Sequence, residues 1–177
     1  MNEPATDKLD HGAVFDGPYR YLLWRTLSPI INSGTILFVM LNPSTATATE
    51  ADPTIRRVMD FADRWGYKKL QITNAFALRS TRPEGLLQVE DPVGPENDRY
   101  IEQAALEADK IVVAWGAFMV GAQYEERLSR VLLLLPHPVY CLGTTENGSP
   151  RHPLYLRKSI PLSVYSPPSR LARLMTS

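Results

Sequence analysis

Four apolar, β-branched-rich runs punctuate this chain, and each gives way to a polar motif. TILFVML runs into Asn42-Pro43-Ser44-Thr45, LQIT into Asn74-Ala75-Phe76, KIVVA into Trp115-Gly116, and PVYCLG into a loop that reaches His152-Pro153. Short apolar runs bounded by turn residues fit buried strands. Between them the period changes to that of helices. Asp52-Pro53 offers an N-cap with proline at the first helical position, followed by a stripe of Ile55, Val58, Met59, Ala62 and Trp65 that stops at Gly66. Pro95 opens a second helix with Ile101, Ala104, Ala105 and Ala108 on its inner face. Residues 118–135 carry Val120, Tyr124, Leu128, Val131, Leu132 and Leu135 at helical spacing.

Alternation of strand and helix predicts an α/β fold: a three-layer α/β/α domain with a four-stranded parallel sheet over residues 35–41, 69–73, 110–114 and 139–142. Upstream, YRYLLWRT (residues 19–26) follows Gly17-Pro18 and reads as a strand in an N-terminal β extension, with SPIINSG as a turn. Residues 1–12 are expected to be a flexible terminus and residues 13–177 a single domain. The Pro/Gly-rich stretch 82–95 predicts a connection holding a short turn of helix.

Ligands of open α/β sheets sit beyond the carboxyl ends of parallel strands, near the point where strand order reverses. Four polar motifs at four such ends therefore predict one site. Each motif also has a plainer reading. Asn-Pro is a turn former, and Ser44 can cap or bond its own backbone. Asn74 can be a satisfied turn residue, Trp115-Gly116 an aromatic packed under a tight turn that needs a positive φ, and His152 a solvated loop histidine. Their shared position favours the functional reading.

Composition narrows the chemistry. With 177 residues, 44% hydrophobic and 21% charged, the chain suits a soluble globular domain. No apolar run approaches a bilayer span, and MNEPATDKLDHG lacks a signal peptide's apolar core, so no membrane association and a cytoplasmic location are expected. A monomer is expected. The single cysteine, Cys141, excludes an internal disulfide and a cysteine-rich metal site, and it reads as core packing. The three histidines, His11, His137 and His152, are not paired with acids at metal-ligand spacing, so no metal is expected. GxGxxG, GxxxxGK[ST] and GxSxG are all missing, which argues against a dinucleotide site, a P-loop and a serine-nucleophile elbow. No cofactor is expected.

Net charge is zero, yet the charges are unevenly spread. Eight acids face one base over residues 84–109, whereas residues 147–177 hold no acid and five bases: Arg151, Arg157, Lys158, Arg170 and Arg173. This acid-free stretch contains His152. The stretch reads equally as a solvated basic tail or as a phosphate-facing patch, and in the second reading Arg151, Arg157 and Lys158 are the candidates for contact with phosphate, that of DNA if the partner is DNA. Catalysis by Asn and His without a nucleophile suits a reaction whose transition state already tends to dissociate, such as N-glycosidic cleavage, in which the sugar becomes an oxocarbenium ion and the base leaves as an anion.

Over most of its length, with LNPSTA, DPTIRR, WGY, NAFALR and AWG, the chain resembles an uncharacterised family of bacterial and phage proteins marked by the LNPSTA motif. At the level of motif order (strand-Asn-Pro, strand-Asn, strand-Trp-Gly, loop-His-Pro) it is also similar to the uracil-DNA glycosylase superfamily, in particular its mismatch-specific and single-strand-selective branches. That resemblance implies that Asn42 positions water and His152 supports the departing base, with Asn74 reading the base edge. Leu41, Pro43, Ser44, Phe76, Trp115, Pro153 and Leu154 would complete the substrate pocket, Phe76 as the aromatic stacked on the base and Leu154 or Tyr155 near the wedge that fills the vacated stack. Two departures stand out: Ser44 replaces a glycine, and Leu154-Tyr155 replaces Ser-Pro. A modified or damaged base is then as plausible a substrate as uracil. The expected function is a DNA-base-flipping hydrolase of the N-glycosidic bond, with DNA as partner. The alternatives are a hydrolase of free nucleosides or nucleotides and a non-catalytic module that binds modified bases in DNA.

Overall fold

The computed structural model describes residues 10–27, 33–117 and 121–176. Seven strands form one mixed sheet: β1 (His11–Asp16), β2 (Tyr19–Thr26), β3 (Thr35–Met40), β4 (Lys69–Asn74), β5 (Lys110–Val113), β6 (Tyr140–Cys141) and β7 (Ser163–Val164), in the spatial order β1-β2-β4-β3-β5-β6-β7. At its centre β3 pairs in parallel with β4, from Thr35↔Lys69 to Met40↔Asn74, and on its other side with β5. The sheet is thus larger and more mixed than the four-stranded parallel sheet expected. β6 joins β5 through the single parallel pair Val112↔Tyr140.

The N-terminal strand is not a separate extension. β2 runs antiparallel to β4, from Leu23↔Ile72 to Thr26↔Lys69, and covers an edge that would otherwise present unpaired backbone groups. β1 then pairs with β2 and already begins at His11, inside the stretch expected to be frayed. β7, antiparallel to β6, is two residues long, too short to leave a pattern in the sequence.

Side-chain alternation divides the core into two layers. On one face Ile36, Phe38 and Met40 of β3, with Leu70 and Ile72 of β4, meet Ile55, Val58, Phe61 and Ala62 of helix α1 (Pro53–Arg64). On the other face Leu37, Val39 and Leu41 meet Ile101, Ala104 and Ala105 of α2 (Asn97–Glu107) and Leu128, Val131 and Leu132 of α3 (Ala122–Leu134). Each such fully buried aliphatic or Phe side chain contributes about 1.5–3 kcal/mol relative to exposure. A short α4 (Ser169–Leu174) adds Leu171 to this second layer. A 3-10 turn occupies Pro83–Gln88 within the connection read as holding a short helical turn.

α1 starts as its sequence predicts: Asp52 Oδ1 accepts from Ile55 N at 2.8 Å, with Pro53 at the first helical position. Residues 28–32 of the expected turn and 118–120 of the expected third helix lie outside the described residues. Among the described residues no helix is long and apolar enough to cross a membrane.

Candidate functional site

Strand order reverses on the two sides of β3, because β4 follows it to one side and β5 to the other. The carboxyl ends at that reversal, together with the N-terminus of α1, enclose a cavity of about 310 Å³. Asn42 enters it from the end of β3, Asn74 from the end of β4, and His152 from the loop after β6. The three candidate polar residues therefore share one cavity.

Asn42 is held by its amide. Its Nδ2 donates to the Ser80 carbonyl at 2.9 Å and to its neighbour Pro43 at 3.1 Å. With both amide protons committed to backbone, Oδ1 remains as the atom available to accept a hydrogen bond.

Asn74 is almost fully buried, at 1% exposure. The backbone around it is clamped from α2 and α3: Asn97 Nδ2 donates to the carbonyls of Asn74 and Ala75 at 3.0 and 3.1 Å, and Arg127 Nε donates to Ala75 O at 2.6 Å. Asn74 Oδ1 accepts from Arg20 Nη2 at 3.4 Å, which turns the Asn74 amide so that Nδ2 is its free donor.

His152 is half-buried and sits against Gly116, whose φ of 78° is open to glycine at no steric cost. A Cβ at Gly116 would lie 3.4 Å from His152 Cβ, and Gly116 N donates to Pro150 O at 2.9 Å, tying the Trp115-Gly116 turn to the histidine loop. Leu154 N donates to His152 Nδ1 at 3.2 Å, so Nδ1 is an acceptor and the neutral imidazole carries its proton on Nε2. Burial pulls the His152 pKa down; Asp52 opposes this by a smaller effect. At neutral pH the ring is an uncharged Nε2–H donor.

Leu41, Ser44 and Trp115 also line the cavity, as the sequence led us to expect. Trp115 packs under its turn, 3% exposed and edge-on to Tyr165 at 6.0 Å, so the plainer reading of Trp115-Gly116 holds alongside its place in the cavity wall. Phe76 is placed elsewhere. β4 ends at Asn74 and the chain bends over residues 75–76, breaking the alternation, so Phe76 turns to the α2/α3 layer and meets Tyr124 edge-on at 5.8 Å. It lines a second cavity with Tyr124 and Arg127. Among the described residues Trp115 is the large aromatic that lines the first cavity.

Pro43 is buried beside the site, Pro153 is buried and Leu154 half-buried; they frame Asn42 and His152 without lining the cavity. Arg151 and Arg157 flank a separate shallow groove with Tyr155, next to His152 along the chain. Lys158 reaches instead to Asp60 of α1 at 3.2 Å.

Sequence reasoning missed Arg20, Asp52 and Thr54 as cavity residues. Asp52 and Thr54 are there because the N-terminus of α1 closes one side, a packing that no local pattern announces. Arg20 carried one signal: a charge between Tyr19 and Tyr21 in an apolar strand, which reads at first as a solvent-facing position.

A family model described as a protein of unknown function (DUF1643) matches residues 20–154, and the chain belongs to that family. The match runs from Arg20 through His152. No curated protein and no solved structure matches the chain.

Proposed function

We propose that the cavity binds a nucleobase flipped from DNA and that the protein hydrolyses its N-glycosidic bond, in the manner of the uracil-DNA glycosylases whose motif order it resembles. The observation that carries this reading is the complementary pair at the strand ends: an acceptor, Asn42 Oδ1, and a neutral donor, His152 Nε2–H, lining one cavity at the reversal of strand order.

The division of labour follows from these atoms. Asn42 Oδ1 orients a water toward the anomeric carbon. His152 Nε2–H donates to the base as the C1′–N bond breaks and its electron pair moves into the ring. The water oxygen closes the bond to C1′, and the proton it sheds balances the base anion. A preorganised donor aimed at developing charge contributes ~3 kcal/mol to such a step. An uncharged imidazole suits the task, since its proton stays in place across neutral pH.

Tyr155 supports DNA as the carrier of the base. It is 93% exposed at φ 68°, a left-handed conformation that costs a bulky residue energy, and it stands three residues beyond His152 between Arg151 and Arg157. An exposed aromatic beside two arginines fits a residue that stacks into a duplex while the arginines hold phosphate. The test is release of free base from oligonucleotides carrying uracil, hypoxanthine or 5-substituted pyrimidines, run beside the matching free nucleosides. Release from oligonucleotides supports the proposal; release from nucleosides alone assigns the chain to small-molecule hydrolases.

A further inference from the structure

Arg20 is 2% exposed, and no carboxylate lies within ion-pair distance of it among the described residues. Burying a charge without a partner is costly, so buried guanidiniums are ordinarily paired or fully hydrogen-bonded. Two other buried arginines of this fold are better provided for, although Nη2 of Arg127 also finds no partner among the described residues. Arg127 meets Asp98 at 2.6 Å, and Arg25 donates to the carbonyls of Trp24 and Thr47 at 2.8 Å each and of Gly12 at 3.4 Å. Among the described residues Arg20 makes only two bonds, both long: to Ala46 O at 3.2 Å and to Asn74 Oδ1 at 3.4 Å, while its Nε finds no partner there. Burial pulls its pKa down to about 10, and the nearby Arg79 and Arg25 push the same way, against the single opposing carboxylate of Asp52. Arg20 is still charged at neutral pH.

Unlike the other two, Arg20 lines the cavity of Asn42, Asn74 and His152. Beside it lie Asn74, whose free amide group is a donor, and Thr54 in the first turn of α1, where the helix dipole favours negative charge and the Thr54 N–H is the one that Pro53 and the Asp52 cap leave open. Asp52 shares this wall, but its Oδ1 is committed to the helix cap. The environment offers hydrogen-bond donors and positive charge, and its one carboxylate among the described residues, Asp52, stands beyond ion-pair distance of Arg20.

We propose that Arg20 is the binding residue for an oxyanion on the substrate, a carboxylate or phosphate seated between Arg20, Asn74 and the first turn of α1. This rests on the cavity being the substrate site and adds that the ligand is acidic. A guanidinium presents a planar fork matched to such groups, and the bonds so formed are charge-assisted. The bound anion also relieves the cost of the buried charge, so affinity is expected to exceed that of a neutral ligand of the same shape.

The experiment is calorimetric titration of the full chain with uracil, 5-carboxyuracil, orotate and inorganic phosphate. The acidic pyrimidines or phosphate are expected to bind roughly ten- to a hundredfold more tightly than uracil. Arg20→Lys, which keeps the charge and loses the fork, should remove most of that preference. Preference for the carboxylates places the oxyanion on the base, and binding of phosphate alone places it on the sugar-phosphate side; either supports the proposal. Equal affinity for uracil and its carboxylated forms without phosphate binding, or an acid preference unchanged in a folded Arg20→Lys, overturns it. The wild-type comparison decides the matter if the variant does not fold. Acid preference without base release from any oligonucleotide ends the glycosidase reading alone, and base release without acid preference ends this inference alone.

Discussion

The backbone N–H of Leu154 donates to Nδ1 of His152 across 3.2 Å, and this one bond decides which nitrogen of the ring carries the proton. Nitrogen-15 chemical shifts of the imidazole are expected to show a protonated Nε2 and a bare Nδ1 at neutral pH. A protonated Nδ1 would remove the donor on which the catalytic reading depends.

Burial of His152 gives stability a defined pH dependence. A histidine whose folded pKa lies below its ordinary value of 6.5 takes up a proton more readily in the unfolded chain. The stability difference between wild type and His152→Gln should therefore be level above pH 6.5 and shift against wild type as the pH falls through 6.5 toward the lowered folded value. Urea unfolding of both proteins between pH 5 and 8 measures it. A difference that does not change over this range would mean that the ring is not desolvated.

Gly116 ties the third strand end to the fourth. Its φ of 78° means that Gly116→Ala strains the turn that carries the bond to Pro150 O, with the new Cβ in van der Waals contact with His152 Cβ at 3.4 Å. A loss of about 1–2 kcal/mol in chemical denaturation is expected. Base release should fall as well, since a small displacement of a catalytic donor is expensive.

Asn42→Asp exchanges the amide donor for a carboxylate facing the Ser80 and Pro43 carbonyls. Two acceptors lose their donor and meet a negative charge, so a loss of about 1–3 kcal/mol of stability is expected, read by urea unfolding. Asn42→Ala, which removes the donor without adding charge, should cost less.

The strand ends were legible in the sequence because each polar motif closes a short apolar, β-branched-rich run bounded by turn residues, the pattern of a buried strand. Asn42, Asn74 and His152 converge for that reason. What escaped was set by packing between distant segments. Arg20 reaches the site only because β2 pairs with β4, and Asp52 and Thr54 only because α1 begins above the strand ends. Phe76 is named from the resemblance alone, and motif order does not show that β4 stops at Asn74 and that the bend after it turns the ring to the α2/α3 layer. The strand over residues 19–26 reads only as an N-terminal extension, since its hydrophobic pattern says nothing about which edge it covers, and β1 was not foreseen.

If DNA is the substrate, Arg151→Ala and Arg157→Ala should each lower the log–log salt slope of binding by about one unit. Lys158→Ala should change it less, because Lys158 already meets Asp60 at 3.2 Å. Filter binding or anisotropy over a series of salt concentrations gives the slopes. Slopes that no variant alters would detach these residues from any phosphate contact.

The central claim is that Asn42 and His152 act on a bound base, and single-turnover release of free base from the oligonucleotide panel tests it most directly. Wild type is expected to release at least one of the bases. Asn42→Ala and His152→Ala should each slow that release by roughly 10² to 10³ while changing oligonucleotide affinity far less. A wild-type protein that binds one of these oligonucleotides selectively and releases nothing from any of them would contradict the claim and leave a module that binds modified bases without cutting.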